Sequence, residues 1–116
     1  MKPLKIIIIL AVFLSSSVFS QEKERKTVET TIKTSAVCEM CKDRIEHDMA
    51  FEKGVKDVNL DLKTKEVTIV YKTKKTNPDK LREAITEIGY DADDLEADAK
   101  AYEKLPACCK KDAPPH

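Results

Sequence analysis

The spacing of apolar residues changes several times between residues 27 and 89, and the changes predict an order of secondary-structure elements. Apolar and polar residues alternate at 27–33, whereas apolar residues recur every three or four positions from 39 or 41 to 53. Alternation returns at 55–62 and 66–71, with a short polar link between the two segments. We therefore expect a strand, a helix and a hairpin of two strands, in that order.

The next helix has the clearest predicted boundaries. Asn77 suits an N-cap and Pro78 suits the first helical position, where an N–H donor is not needed. Gly89 suits the helix end because glycine adopts a left-handed backbone readily. A last strand should follow, and residues 90–95 are the candidate, although their three aspartates are unfavourable in strands. The complete order predicts an α+β fold of the ferredoxin-like βαββαβ type, a sandwich of two helices on a four-stranded antiparallel sheet.

The first twenty residues have the features of a secretory signal peptide. Lys2 and Lys5 precede an apolar run at 6–14, and small residues lead up to Ser20. The run is too short for a permanent membrane-spanning helix. We expect cleavage after Ser20, export to the periplasm or the extracellular space, and no stable membrane insertion afterwards. An uncleaved anchor is the alternative.

The rest of the chain has three predicted parts, namely a flexible lead-in at 21–26, a folded domain at 27–95 and a C-terminal extension at 96–116. The extension has a helical pattern at 98–105 that ends before Pro106. Cleavage removes two of the 21 basic residues and none of the 21 acidic ones, for a formal charge of −2. This charge argues against a nucleic-acid partner, which requires a basic surface.

Cys38 and Cys41 form a C-x-x-C motif between the first strand and the first helix. A helix N-terminus favours negative charge, and the thiolate is the form that binds metals or attacks disulfides. Four cysteines in an exported protein often form disulfides, but a Cys38–Cys41 bond would close a very short loop and add little stability. Capture of a soft metal, disulfide exchange and a structural disulfide all stay open at this point.

The surroundings of this motif resemble a known family. Gly54-Val55 precedes the second strand, and Ile-Gly-Tyr-Asp-Ala at 88–92 follows the second helix. Together with the C-x-x-C at the first strand–helix junction, these residues resemble the heavy-metal-associated domain over 27–95. That family includes copper chaperones, amino-terminal modules of metal-pumping P-type ATPases and the periplasmic mercury-binding protein.

The resemblance implies that Cys38 and Cys41 bind a soft ion through both sulfurs, nearly linearly and open to a partner's thiol. Soft thiolates select soft ions. Val37 stands where zinc- and cadmium-binding members often have an acid, so copper(I) is favoured, mercury(II) is the second candidate and zinc a weaker one. The implied partner is a metal-transporting membrane protein or another thiol-bearing acceptor. No catalytic constellation stands out, so we do not expect an enzyme.

A thiol–disulfide redox protein is the alternative, because such proteins also place a C-x-x-C at a helix start. That fold needs more chain than remains after the signal peptide. It also needs an aromatic residue before the motif, where this chain has Ala36-Val37.

Three positions differ from the family pattern or vary within it. Ser35 and Ala36 stand where the family has Gly-Met, whose methionine packs beneath the loop; Met40 is a candidate to fill that space. Tyr90 stands where ATPase modules and the mercury protein have an aromatic residue and copper chaperones have a lysine. Tyr90 is either a lid over the sulfurs or a core aromatic. The expected topology places Gly89 and Tyr90 beside the cysteine loop.

Cys108 and Cys109 lie outside the family domain, in the C-terminal extension. They have three interpretations: added thiolates for the same metal, a redox pair that protects Cys38 and Cys41, or cysteines that are inert or pair with another molecule. A disulfide between adjacent cysteines is strained, because the bridge needs more separated Cα atoms.

Overall fold

The computed structural model describes residues 26–111. The expected signal peptide at 1–20, the lead-in before Lys26 and the last five residues lie outside that range. Within it, no helix combines the length and the apolar character that crossing a membrane requires.

Three strands and three helices make up the described fold, followed by a short 3-10 helix at Ala107–Cys109. The strands are β1 (Thr27–Lys33), β2 (Val55–Asp61) and β3 (Glu66–Lys72). The helices are α1 (Glu39–Ala50), α2 (Pro78–Ile88) and α3 (Ala99–Lys104). The five elements predicted up to Gly89 and the short helix of the extension are confirmed, with boundaries that differ by up to three residues.

The caps of α2 are those that the sequence predicts. The Asn77 side chain accepts a hydrogen bond from the Lys80 backbone N–H at 3.0 Å. Gly89 ends the helix with φ of 119°, in the left-handed region that a residue with a Cβ rarely adopts.

The three strands form one antiparallel sheet in the order β1-β3-β2. Val67 lies opposite Ile32 on one side and Leu60 on the other. Val67, Ile69 and Tyr71 alternate with less buried residues along β3, so one face of the sheet enters the core. The inward side chains of α1 and α2 complete the same core.

The predicted fourth strand at 90–95 is not formed, and this expectation was wrong. Ala92 makes a single antiparallel bridge with Thr34 at the end of β1, and then a second bridge with Leu95 that turns the chain back. Asp93 adopts a positive φ of 52°. Its carboxylate accepts the Lys33 backbone N–H at 2.8 Å, where a strand would offer a backbone carbonyl. The aspartates thus replace a strand by a turn.

The extension packs back against the domain. The Asp98 backbone N–H donates to the Thr86 carbonyl at 3.0 Å, and the Asp98 carboxylate caps α3. Leu105 is buried and lies beside Gly89. A Cβ on Gly89 would meet the Ala101 carbonyl oxygen at 3.0 Å and Leu105 Cγ at 3.1 Å. Gly89 therefore both ends α2 and leaves room for the extension.

Candidate metal centre

The cysteine loop places both thiols of the C-x-x-C at the N-terminus of α1. Cys38 is the N-cap residue, and its carbonyl accepts hydrogen bonds from the N–H groups of Cys41 at 3.0 Å and Lys42 at 3.1 Å. The Sγ atoms of Cys38 and Cys41 are 3.2 Å apart. The positive end of the helix dipole therefore acts on both sulfurs.

Hydrogen bonds from neighbouring segments hold this loop in place. The Ser35 hydroxyl accepts the Asp91 backbone N–H at 2.9 Å, which joins the loop to the segment after α2. This contact agrees with the predicted position of Gly89 and Tyr90. The Thr34 hydroxyl accepts the Ala36 N–H at 3.2 Å, and Ala36 is wholly buried. Met40 does not fill the space beneath the loop, because its side chain is 51% exposed.

The structure brings the two cysteines of the extension to the same place. Cys109 Sγ lies 3.9 Å from Cys38 Sγ, and the Cys109 carbonyl oxygen lies 3.7 Å from Cys41 Sγ. Cys108 Sγ lies 3.8 Å from Cys109 Sγ and 3.6 Å from Met40 Sδ. The sulfurs of Cys38, Cys108 and Cys109 all lie within 4.8 Å of one another. No disulfide joins the four cysteines, all of which are within the described range.

An open site was expected at Cys38 and Cys41, and this expectation was wrong for Cys41. Cys41 is 0% exposed and Cys109 is 1% exposed, whereas Cys38 and Cys108 are half-buried. The reason is the extension, since its last described turn lies over the C-x-x-C. Solvent or a partner therefore reaches the cluster through Cys38 and Cys108.

The thiols of Cys38, Cys41 and Cys109 differ in acidity. Burial raises the pKa of Cys41, but donation from the Tyr90 hydroxyl, the Val37 backbone and the neighbouring thiols outweighs burial and lowers the pKa. Burial is also the main cause that raises the pKa of Cys38 and of Cys109, with further contributions from Cys41. Cys41 is accordingly the first of these three to become a thiolate, with the others donating to it.

Tyr90 belongs to both the core and the site. Its side chain is wholly buried, as the core interpretation predicts. Burial and the nearby sulfurs of Cys41 and Cys109 raise its pKa, so the hydroxyl keeps its proton and can only donate to a thiolate. In the described part of the chain this hydroxyl makes no hydrogen bond of good geometry, but it lies near enough to Cys41 to donate once that thiol becomes a thiolate.

Arg44 is a residue of the site that the sequence analysis missed. Burial lowers its pKa, but the neighbouring Tyr90 and Cys109 raise it more, so the side chain stays charged. The Nε atom of Arg44 is buried and, like the Tyr90 hydroxyl, finds no partner among the described residues. Its position three residues after Cys41 was the available signal, because residues i and i+3 share a helix face.

The chemistry of the donors fits a soft cation. Among the described residues, the group that could hold a metal ion consists of cysteines, namely Cys38, Cys108 and Cys109, with Cys41 in contact with Cys38. Thiolates select soft ions over calcium or magnesium. The buried Arg44 Nε and Tyr90 hydroxyl beside them suit a cluster that becomes negative when the thiols lose their protons. The fold and the thiol cluster thus define a small α+β domain suited to binding soft metals.

The comparison with protein families places the chain within this class. The heavy-metal-associated domain matches residues 31–91, more than half of the chain. The chain therefore belongs to the heavy-metal-associated domain family, whose members bind heavy metals. No curated protein sequence is significantly similar to the chain.

Solved structures of this family have the same fold. Oxidized MerP from Ralstonia metallidurans CH34 is 22% identical, with a TM-score of 0.55 over 57% of this chain and 93% of MerP. The CopZ metallochaperone is 23% identical, with a TM-score of 0.54 over 56% of this chain and 98% of CopZ. The water-soluble region of the P-type ATPase CopA from Bacillus subtilis is 30% identical, with a TM-score of 0.53 over 57% of this chain and 44% of that region.

Proposed function

We propose that this chain is an exported protein that carries or scavenges a soft metal ion on Cys38 and Cys41 and passes it to an acceptor by thiolate exchange. The observation that carries this proposal is the pair of sulfurs 3.2 Å apart at the N-terminus of α1, in a chain of this family. Copper(I) is the favoured ion, mercury(II) is the second candidate and zinc is a weaker one. Sulfur-only donors and the apolar Val37 before the motif support this order.

The chemistry of loading follows from the thiols. Each thiol that joins the ion releases its proton to the solvent, so binding is coupled to deprotonation. Cys41 reacts as a thiolate most readily, because its pKa is lowered despite burial. The Tyr90 hydroxyl and the positive end of α1 stabilise the resulting charge.

Release follows by ligand exchange. A thiolate of the acceptor attacks the ion held by Cys38 and Cys41, a three-coordinate intermediate forms, and one original sulfur leaves and takes up a proton. A second thiolate of the acceptor then displaces the other sulfur in the same way. Cys38 leaves first, since it is half-buried at the N-cap, whereas Cys41 is wholly buried within the helix. No electron is transferred, so the ion keeps its oxidation state.

The acceptor that fits this chemistry is a metal-transporting membrane protein or another protein with exposed thiols. Among the structures similar to this chain, CopZ is a metallochaperone and CopA is a P-type ATPase. Export is inferred from the signal-like residues 1–20. In an oxidising compartment, the thiols have to be reduced before they can bind.

A thiol–disulfide redox protein is the second candidate, and the short distance between Cys38 and Cys41 favours it. Their sulfurs are 3.2 Å apart and approach about 2.05 Å in a disulfide, so little movement separates the two states. A redox protein would exchange disulfides with other proteins and would not need to bind copper.

Competition between the reduced protein and a chromophoric copper(I) chelator tests the proposal. We expect one tightly bound copper(I) per chain in the wild type and none in the Cys38→Ser/Cys41→Ser variant. The Cys108→Ser/Cys109→Ser variant is the matched control, because it also loses two thiols but keeps the C-x-x-C and should still bind one copper(I) per chain. Unchanged binding by the Cys38→Ser/Cys41→Ser variant would exclude the proposal.

A further inference from the structure

We propose that Cys108 and Cys109 are ligands to the same ion, so that the loaded site has at least three thiolates and is closed by the C-terminal extension. This inference rests on the proposed function, because it assumes that the ion binds at Cys38. It assigns a metal-binding role to two residues that lie outside the matched family domain, which ends at residue 91.

The distances between the sulfurs favour three or four ligands over two. With a metal–sulfur bond of about 2.3 Å, two sulfurs lie about 4.6 Å apart in linear, about 4.0 Å apart in trigonal and about 3.8 Å apart in tetrahedral coordination. The Cys38–Cys109 and Cys108–Cys109 distances are 3.9 and 3.8 Å. The Cys38–Cys41 distance of 3.2 Å is shorter than all three geometries need, so these two sulfurs have to move apart on binding, and farthest for a linear ion. The cluster is therefore arranged for a trigonal or tetrahedral ion.

The extension is held over the loop by contacts that need no metal. Leu105 is buried beside Gly89, and the Asp98 N–H donates to the Thr86 carbonyl at 3.0 Å. Beyond the cysteines, Lys111 Nζ lies 3.2 Å from the Asp91 carboxylate. These contacts lie on both sides of Cys108 and Cys109 in the sequence, so the two thiols are positioned before an ion arrives. A site positioned in advance loses less conformational entropy on binding.

The charge around the cluster also fits more than two thiolates. A monovalent ion with three or four thiolates is a net anion, which is costly to bury without a compensating cation or donor. Arg44 Nε and the Tyr90 hydroxyl are both buried beside these sulfurs, Arg44 near Cys109 and Tyr90 near Cys41 and Cys109. They supply one positive charge and one donor where a third thiolate would need them.

The test compares the reduced wild type (residues 21–116) with the Cys108→Ser/Cys109→Ser variant, each loaded with one copper(I). X-ray absorption at the copper edge counts the sulfur ligands. We expect three or more sulfurs in the wild type and two in the variant, with affinity for copper(I) lower by at least about tenfold in the variant. Serine is close to cysteine in size, so the extension should still dock, and thermal unfolding of the metal-free proteins checks this.

The single variants show which of the two cysteines contributes more to binding. Cys109 is buried against Cys38 and Cys41, whereas Cys108 is half-buried beside Met40. Cys109→Ser should therefore weaken binding more than Cys108→Ser. Two sulfurs in the wild type, with affinity equal to that of the double variant, would overturn the inference while leaving the proposed function intact. The proposed function fails if the wild type binds no soft ion, or if the Cys38→Ser/Cys41→Ser variant binds copper(I) as the wild type does.

Discussion

The sulfur of Cys38 lies 3.9 Å from the sulfur of Cys109, although 71 residues separate them in the sequence. The relationship joins the family domain to an extension that the family match does not include. It converts a pair of thiols at a helix start into a cluster of four. The contributions of Arg44, Tyr90 and Gly89, which surround this cluster, can each be measured by substitution.

Arg44 should contribute to metal affinity through its charge. Replacing Arg44 with Gln removes the cation beside Cys109 and Tyr90, so we expect copper(I) affinity to fall by about tenfold. Lys42→Gln is the control on the same helix, because Lys42 pairs with Glu46 at 2.6 Å and not with the sulfurs. Chelator competition measures both variants. Equal affinities of the two variants would show that the charge of Arg44 is irrelevant to binding.

Tyr90 should stabilise the loaded protein more than the metal-free one. Its buried hydroxyl has no partner in the described chain, and an unpaired buried hydroxyl costs roughly 1–3 kcal/mol. Tyr90→Phe should therefore leave the metal-free protein as stable or raise its melting temperature slightly. The rise in melting temperature on adding copper(I) should be smaller in the variant, because the phenylalanine cannot donate to a thiolate. A metal-free variant that melts well below the wild type would contradict this account.

Gly89 should control both stability and the docking of the extension. Gly89→Ala places a Cβ at a φ of 119° and against Ala101 and Leu105, so we expect a loss of about 2 kcal/mol or more. Displacing the extension should also speed the reaction of Cys41 with a bulky thiol reagent.

Gly54→Ala is the matched control for this prediction. Gly54 also has a positive φ, of 84°, but it follows the other end of α1 from Cys41. We expect it to lower stability in urea unfolding without changing thiol reactivity under native conditions. Faster reaction in both variants, or in neither, would mean that Gly89 does not position the extension.

Asp93 should stabilise the turn that replaces the expected fourth strand. Its carboxylate accepts from the Lys33 N–H and from Arg82 Nε, each at 2.8 Å, and is 32% exposed. Asp93→Asn should cost about 1–2 kcal/mol. Asp79→Asn is the control, because Asp79 bonds the same Arg82 but is 90% exposed, and we expect a loss of about 0.5 kcal/mol.

The contribution of Asp93 should depend on pH with a definite sign. Burial raises its pKa, but the Arg82 side chain and the Lys33 N–H lower it more, so the folded-state pKa lies below the ordinary value of 3.8. The stabilisation is therefore present above about pH 4 and is lost as the pH falls through the folded-state pKa. Urea unfolding at several pH values should show the difference between wild type and Asp93→Asn shrinking below about pH 4. A difference that grows on acidification would contradict the assignment.

Most of the fold was predictable because its signals are local. Alternation along β3 and the Asn77 and Gly89 caps of α2 depend on neighbours in the sequence, and the structure confirms them. The strand expected at 90–95 failed because the Asp93 carboxylate bonds the Lys33 backbone N–H of β1, which a strand would have paired with a carbonyl. That competition depends on tertiary position, which local propensity does not contain.

The candidate site was predictable only in part. The position of Cys38 and Cys41 at a helix start follows from the local pattern. The approach of Cys109 depends on the extension packing on Gly89, a long-range contact with no periodic signal. The role of Arg44 depends in turn on where Cys109 lies. Cys109 and Arg44 could therefore be assigned to the site only from the three-dimensional structure.

Native mass spectrometry of the reduced chain, offered copper(I), mercury(II) and zinc(II) in competition, tests the central claim most directly. We predict one soft ion per chain, copper(I) ahead of zinc(II), and loss of that ion in the Cys38→Ser/Cys41→Ser variant. A wild type that binds none of the three ions, or a variant that binds them equally well, would contradict the account.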